Sequence, residues 1–325
     1  MFASIVIFIM SGCQILTDQK ELIPFKQSLL TIPLEGPISK KKAEISGMAW
    51  MGDTLILLPQ YPEDIGEPHA ILFTIPKQFI LDYLDGKSKG PISPGKINLM
   101  MPNLKEMIPD YEGFEAVEFR DQDVYLTIES GKDIHMMGYI ISGKISSDKS
   151  EIRLDTSTIT RIPPPIQLDN RTDEALIIIQ DRIFTFFEIN GAGINPEPAA
   201  HIFDLNLNAK GMVSFPNLEY RVTDAASGAE GEIWVLNQAS EKDSNILPQF
   251  DPLMPSQPRG LSHAERLVKL KFGKDGFSLA EFPPILINLG DSARNWEGLS
   301  LLDDRGFLIV TDKSPDTILG FVPMP

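Results

Sequence analysis

The stretch EALIIIQDRIFTFFE, residues 174–188, decides the fold of this 325-residue chain. A polar and a small residue open the stretch, an apolar strand and a short polar turn follow, and a second apolar strand ends on an acid. The same order of residue types recurs at residues 46–60, 115–129, 224–238 and 297–312. A hairpin that recurs along a chain is typical of a β-propeller, in which each hairpin builds part of one blade.

The spacing within these five hairpins is more regular than the spacing between them. The first and last residues are fourteen positions apart in four hairpins and fifteen in the last, while the connections between hairpins vary in length. Inner strands of a propeller pack around one axis, whereas outer connections are free to grow. We therefore predict an all-β fold, a β-propeller of five or six blades with loop insertions and at most one or two short helices.

The blade number depends on residues 266–282, where two apolar segments flank a glycine-containing turn. These segments form either a sixth blade or the outer strands of the fourth. The strand-like segments 29–34 and 317–322 are expected to pair and to close the ring. A short helix is predicted from Lys77 to Asp85, ended by Gly86. A single propeller domain is thus predicted over residues 29–325.

Each hairpin is predicted to place two polar groups at one end of its blade. The start of one strand and the end of its antiparallel partner lie at the same end of a hairpin, and radial repetition gathers these pairs on one face. The acids of this face are Glu115, Glu129, Glu174, Glu188, Asp224, Glu297 and Asp312. Crowded carboxylates raise one another's pKa unless a cation offsets their charge. Because oxygen ligands suit a hard ion, we predict that these seven carboxylates bind Ca²⁺.

Three arginines stand three residues before the leading acid of the last three hairpins: Arg171, Arg221 and Arg294. Two interpretations remain open for them. Each arginine pairs with a neighbouring carboxylate and holds the face together, or the three bind an anionic group of a substrate. Both interpretations use the same fork geometry of the guanidinium group.

Two of the acids, Glu115 and Glu297, are candidate catalytic groups, because a bound ion would lower the pKa of a water molecule beside them. His135, six residues after Glu129, is a candidate general base. The alternative for His135 is a surface histidine without a role. The sequence contains no phosphate-binding glycine-rich loop of the Gly-x-x-x-x-Gly-Lys-Ser/Thr type.

Cys13 is the only cysteine of the chain and ends an apolar N-terminal segment. Met10-Ser11-Gly12-Cys13 resembles the lipobox of bacterial lipoproteins, in which a signal peptide is cut before a cysteine that carries lipid. The resemblance implies a signal peptide over residues 1–13, a lipidated Cys13, a tether over residues 14–28 and a lipid-anchored place in the bacterial cell envelope. A spanning helix is the poorer alternative, because crossing a bilayer takes about 20 apolar residues.

The formal net charge of −16 argues against nucleic acid and anionic membrane surfaces as partners. We therefore expect membrane contact only through the lipid anchor. A single cysteine also excludes an internal disulfide framework. The predicted partner is a small anionic ester or another ligand at the propeller face, bound by a monomer.

Short motifs within the hairpins resemble those of a known family. They look like the repeat motifs of the phytase-like propellers, the "esterase-like activity of phytase" family, and more distantly those of SdiA-regulated and SMP-30/gluconolactonase propellers. The motifs lie at residues 45–49, 112–117, 173–176, 295–299 and 308–312. In the gluconolactonase-like enzymes such positions bind a divalent metal on the axis, and the matching residues here are Glu115, Glu174, Asp224, Glu297 and Asp312. The resemblance implies a propeller with calcium-dependent hydrolysis of phosphate or carboxylic esters.

Two functions from different classes follow from these observations. One is a metal-dependent hydrolase in which Ca²⁺ activates water and the arginines hold an anionic substrate. The other is a non-catalytic propeller that binds a protein, a glycan or a small ligand at the same face. The first loses turnover when the metal is chelated, whereas the second hydrolyses no ester.

Overall fold

The computed structural model describes residues 23–65, 69–228, 231–239, 243, 251, 253, 264–288, 294–312 and 316–325. The predicted signal peptide, the lipidated Cys13 and most of the predicted tether lie outside the described residues. No helix in the described part of the chain is both long and apolar enough to cross a membrane.

The described residues form 22 strands and two short α-helices. The first blade contains β3 (Ile45–Met51), β4 (Thr54–Pro59), β5 (Ile71–Pro76) and β6 (Gly95–Met100). The second contains β7 (Tyr111–Arg120), β8 (Asp123–Ser130), β9 (Met137–Ile145) and β10 (Glu151–Ile162). The third contains β11 (Asp173–Ile179), β12 (Arg182–Phe187), β13 (Ala199–Asp204) and β14 (Ala209–Ser214).

The fourth blade contains β15 (Arg221–Ser227), β16 (Ile233–Ala239), β17 (Ala264–Gly273), β18 (Gly276–Leu279) and β19 (Ile285–Asn288). The fifth contains β20 (Trp296–Leu302), β21 (Gly306–Thr311), β22 (Leu319–Pro323) and the N-terminal β2 (Leu30–Ile32). The helices are α1 (Lys77–Leu84) and α2 (Leu104–Met107). The predicted all-β architecture with at most two short helices is confirmed.

The innermost strands of the five blades form a closed ring. β3 packs against β7, β7 against β11, β11 against β15, β15 against β20, and β20 returns to β3. This ring accounts for each of the five repeated hairpins. The sequence left open whether residues 266–282 form a sixth blade or the outer strands of the fourth. They contain most of β17 and all of β18, which are outer strands of the fourth blade. The described residues therefore build a five-bladed propeller.

The inner hairpins are apolar on both faces because a neighbouring blade covers each face. Leu55, Ile56, Leu57 and Leu58 are consecutive in β4, and all four are completely buried. Successive side chains of a strand point to opposite faces, so the first and third of these residues pack with one group of apolar side chains and the other two with another. Burial of both faces explains why the inner strands read as continuous apolar runs rather than as alternating patterns.

The outer strands of neighbouring blades also pair with each other. β6 pairs in parallel with β10, joining the first and second blades through Asn98 and Glu151. β14 meets β18 at Ser214 and Gly276, joining the third and fourth blades. Such pairing covers sheet edges that would otherwise present free hydrogen-bonding groups.

The chain termini close the ring as predicted. β2 pairs antiparallel with β22, with Leu30 opposite Phe321. β1 (Phe25–Ser28), which lies in the predicted tether, instead pairs in parallel with β19 of the fourth blade. The ring of Phe25 packs at 5.5 Å from that of Phe282, and this contact holds β1 on the domain. The folded body thus begins earlier in the chain than the sequence indicated.

The predicted helix is confirmed as α1, which follows β5 directly. Its buried Ile80 packs against the core between the first and fifth blades. Gly86 ends the helix with a φ of +71°, a conformation that glycine adopts without strain.

Candidate functional site

A bulge interrupts the first strand of every inner hairpin, and in four of the five hairpins it lies at the predicted polar position. An extra residue in one strand bends that strand and re-aims its side chain. The register shifts place Ser46, Glu115, Glu174, Thr223 and Glu297 at the bulges. In the first, second, third and fifth hairpins the repeated polar residue is therefore the bulged residue, which explains why it lies at the mouth of the propeller axis although it belongs to an apolar strand.

In the fourth hairpin the bulged residue lies one position before the residue that the sequence spacing predicted. Its bulge lies between Val222 and Asp224, so Thr223 is the equivalent of Glu174, and Asp224 takes the place of Ala175. From Thr223 to Gln238 the offset is fifteen positions, as it is from Glu297 to Asp312 in the fifth hairpin. Alignment on the commoner offset of fourteen assigned the leading position to Asp224.

A cavity of about 590 Å³ lies where the bulged ends of the five hairpins meet. Eight predicted site residues line it: Glu115, Glu129, Arg171, Glu174, Arg221, Arg294, Glu297 and Asp312. The lining also includes Glu44, Ser46, Gln60, Tyr61, Glu112, Asn170, Asp243 and Asn295. We call this space the axial cavity.

Three predicted site residues do not line the axial cavity. Glu188 is completely buried beside it. Asp224 is also buried, and its carboxylate accepts hydrogen bonds from the backbone N–H of Ala225 at 2.8 Å and of Leu299 at 2.6 Å. It thereby joins the inner strands of the fourth and fifth blades. His135 lies in an exposed turn after β8.

Arg221 is the central cation of the site. Its Nε donates to Glu188 Oε1, and its Nη2 lies 3.5 Å from Glu174 Oε2 and 3.3 Å from Glu297 Oε1. Its Nη1 donates to Asn295 Oδ1 at 3.3 Å. Arg221 of the fourth blade thus forms ion pairs with carboxyl groups of the third and fifth blades.

Arg171 adds a second guanidinium group beside the same carboxylate. Its Nη1 lies 3.1 Å from Glu188 Oε2, and its Nη2 lies 3.4 Å from Asp243 Oδ1. For Arg171 and Arg221 these contacts match the structural interpretation, in which an arginine pairs with a neighbouring acid. Substrate binding by Arg171, Arg221 and Arg294 stays a prediction.

Burial raises the pKa of several acids that line the axial cavity. It raises the pKa of Glu297 to about 8, with the nearby charges of Asp312 and Glu188 adding to the effect and Arg221 opposing it. It raises the pKa of Glu129 to about 7, and Glu188 adds to that effect. Burial and carboxylate neighbours also hold the pKa values of Glu115 and Glu174 well above the usual range. At neutral pH the site therefore contains protonated carboxyl groups that act as hydrogen-bond donors.

Two neutral partners further orient these acids. Gln60 Nε2 donates to Glu115 Oε1 at 3.1 Å, and the Thr172 hydroxyl donates to Glu129 Oε2 at 2.9 Å. Both partners lie near the ends of inner strands, so the hairpins themselves determine where the carboxyl groups point. The arrangement is a pre-formed polar site rather than a set of loose surface acids.

The Ca²⁺ site predicted from the seven carboxylates is not tested by the arrangement of the described side chains. Among the described residues, no group of three or more His, Cys, Asp and Glu side chains is placed to hold a metal ion. The positive charge between Glu174, Glu188 and Glu297 comes from Arg221. The Ca²⁺ site of the sequence analysis stays a prediction.

Sequence reasoning missed several residues of the site, notably Tyr61, Glu112 and Asn295. Tyr61 directly follows Gln60, the closing residue of the first hairpin, and Asn295 lies between Arg294 and Trp296. Glu112 occupies in the second hairpin the position that Arg171 has in the third. Closeness in sequence to the repeated polar residues could have pointed to these site residues. Their residue types, however, vary from one hairpin to the next.

The chain matches no protein-family profile and no curated protein sequence. Solved structures do resemble it. An exo-β-1,3-galactanase from Phanerochaete chrysosporium, solved with galactose, superposes with a TM-score of 0.51 and 10% identity, over 90% of this chain and 64% of that chain. A GH43 endo-arabinanase from Bacillus licheniformis has a TM-score of 0.49 and 10% identity, over 90% of this chain and 96% of that chain.

An α-L-arabinofuranosidase from Lactobacillus brevis has a TM-score of 0.49 and 11% identity, over 89% of this chain and 92% of that chain. At this level of identity the galactanase likeness establishes the β-propeller fold alone. The matches do not support membership of the phytase-like family, to which the sequence motifs pointed.

Proposed function

We propose that the protein is a hydrolase that cleaves an uncharged glycoside in the axial cavity by acid–base catalysis between carboxyl groups. The observation that carries this proposal is the pair formed by Glu297 and Asp312, the first and last residues of the fifth inner hairpin, which lie at the same end of it. Both line the cavity, and the negative charge of Asp312 contributes to the raised pKa of Glu297. Glycoside hydrolysis uses two carboxyl groups that flank the scissile bond, one that gives a proton and one that is ionised.

The charge of the axial cavity favours an uncharged substrate. Eight acids and three arginines line it, and two of the arginines already pair with protein carboxylates. A phosphate or carboxylate group would therefore meet repulsion from those acids that are ionised. Sugar hydroxyls instead find protonated carboxyl donors, ionised acceptors and the amides of Gln60 and Asn295.

The proposal gives the two acids different roles, and the raised pKa of Glu297 makes it the proton donor. Glu297 gives its proton to the glycosidic oxygen as the bond to the anomeric carbon breaks. Asp312 takes a proton from the water that attacks this carbon, and Asn295 Nδ2, 3.3 Å from Asp312 Oδ2, orients that carboxylate. Arg221 holds Glu297 in place through Oε1.

The fold shared with the galactanase also supports a glycoside as substrate, but only weakly. The galactanase is an enzyme that acts on a saccharide, and its propeller has the same overall architecture. Folds host many unrelated activities, so the argument for a glycoside depends on the carboxyl pair and on the charge of the cavity.

The test is hydrolysis of a panel of neutral aryl glycosides, aryl phosphates and carboxylic esters, each with Ca²⁺ and with a chelator. We expect turnover of a neutral glycoside that chelation leaves unchanged. Replacing Glu297→Gln or Asp312→Asn should lower kcat by about 10²–10⁴-fold, since each removes a proton-transfer group. kcat/KM should fall above pH 8, where Glu297 loses its proton.

The matched control is Glu118→Gln, which alters an acid that does not line the axial cavity and should leave turnover unchanged. Chelator-sensitive cleavage of phosphates or esters would contradict the glycosidase and support the calcium-dependent esterase that the sequence motifs imply. A folded protein that cleaves nothing in the panel would favour the non-catalytic propeller.

A further inference from the structure

We propose that Tyr61 forms the surface on which a sugar ring of the substrate stacks. This inference rests on the proposed function and identifies one wall of its binding site. Of the described residues that line the axial cavity, Tyr61 alone is aromatic. Tyr61 directly follows Gln60, the closing residue of the first hairpin. It faces the second blade, where Glu112 also lines the cavity.

Neighbouring aromatic rings hold the ring of Tyr61 in place. Tyr111 packs against it edge-on, with ring centroids 6.4 Å apart and an interplanar angle of 73°. Phe114 contacts Tyr111 at 6.0 Å and 81°. Lys105 Nζ lies 5.2 Å from the centroid of the Tyr111 ring and pairs with Glu63. Because this stack already fixes Tyr61, a ligand that packs on its ring loses little additional side-chain entropy.

The polar end of Tyr61 is also fixed. Its hydroxyl donates to Glu112 Oε2 at 3.5 Å. Burial, followed by the charges of Glu112, Glu115 and other acids, raises the pKa of Tyr61 far above its ordinary value. The side chain therefore stays protonated at every physiological pH and presents a neutral, electron-rich ring.

A sugar ring has the chemistry that fits this wall. One face of a pyranose or furanose carries weakly positive C–H groups, which pack on the negative face of an aromatic ring. Its hydroxyl edge then faces Glu112 and Glu115, which supply hydrogen-bonding oxygens. A phosphate has no apolar face to place on Tyr61 and would meet the negative charge of Glu112.

The experiment measures binding of β-1,3-galactotriose, galactose and arabinotriose by calorimetry, in a protein that carries Glu297→Gln so that no turnover occurs. We expect at least one of these saccharides to bind. Tyr61→Ala should weaken its binding about tenfold, the loss that one aromatic contact typically causes. Tyr61→Phe should stay within about threefold, because the ring remains.

The control variant is Phe79→Ala, which removes an aromatic ring that is half-exposed on α1 and absent from the cavity lining. It should leave binding unchanged. Unfolding curves of all variants show whether the fold is intact. Equal affinity of Tyr61→Ala and the parent protein would overturn the stacking proposal, as would the absence of binding to all three saccharides.

The two proposals fail in different ways. Cleavage of a glycoside by the wild type together with unchanged binding by Tyr61→Ala would retain the hydrolase and reject the stacking wall. Saccharide binding that depends on Tyr61 in a protein without glycosidase activity would retain the wall and reject the hydrolase.

Discussion

Arg221 connects three blades through its guanidinium group, and its place illustrates how a single bulge determines a site. Because the bulge of the fourth hairpin is at Thr223, Arg221 lies two residues before the bulge and opposite Gln238. Arg171 and Arg294 lie three residues before theirs. The difference of one position brings Arg221 to the centre of the acids rather than to their edge.

We expect Arg221→Gln to lower the free energy of unfolding by about 3–5 kcal/mol, because it leaves the buried carboxylate of Glu188 without its main partner. The double variant Arg221→Gln/Glu188→Gln should recover a large part of this loss, since no uncompensated charge remains. Urea unfolding at pH 7 measures both. Arg171→Gln serves as the comparison and should cost less, because Arg221 still holds Glu188.

Equal losses for the single and double variants would contradict this account. They would mean that Arg221 stabilises the fold through its packing and not through its charge.

The strands near the two termini close the ring by pairing with each other. β22 lies between β21 and β2, so the fifth blade is built from both ends of the chain. Its buried residues Leu319 and Val322 belong to two different apolar clusters, on the two faces of the blade. Removing β22 therefore exposes cores on both sides and frees β2.

Deleting residues 317–325 should abolish the cooperative unfolding transition or lower the Tm by more than 10 °C, an estimate from the loss of several buried apolar side chains at about 1.5–3 kcal/mol each. Thermal unfolding followed by circular dichroism measures the effect. Deletion of Pro325 alone is the control and should leave the Tm unchanged. A truncated protein that melts like the full chain would show that the terminal strands do not close the propeller.

The buried acids make the stability of the whole molecule depend on pH. Burial raises the pKa of Glu129 and Glu265 to about 7 and that of Glu297 to about 8. In the unfolded chain these groups lose their protons near pH 4.5, whereas the folded protein retains them at higher pH. The folded state therefore binds more protons, and its stability falls as the pH rises.

We expect the free energy of unfolding to be highest near pH 5 and to decline up to about pH 8, by on the order of 3 kcal/mol for one such group. Urea unfolding at pH 5, 6.5 and 8 tests this. Glu129→Gln should flatten the profile, whereas Glu151→Gln, at the edge of the second blade, should not. Stability that rises between pH 5 and pH 8 would show that these acids are ionised in the folded protein.

The sequence by itself determined the repeated hairpins, the closing strands and the gathering of acids at one face. The hairpins and their polar ends are local features, because an apolar run, a turn and a polar end are written within about 15 consecutive residues. The gathering of acids and the closing strands follow from them once the hairpins are arranged around one axis. Only the tertiary structure decided that five blades close the ring, that Thr223 is the bulged residue and that Arg221 occupies the centre of the acids. Bulge position and ion pairing depend on how neighbouring blades pack, and a shift of one residue changes which side chain faces the axis.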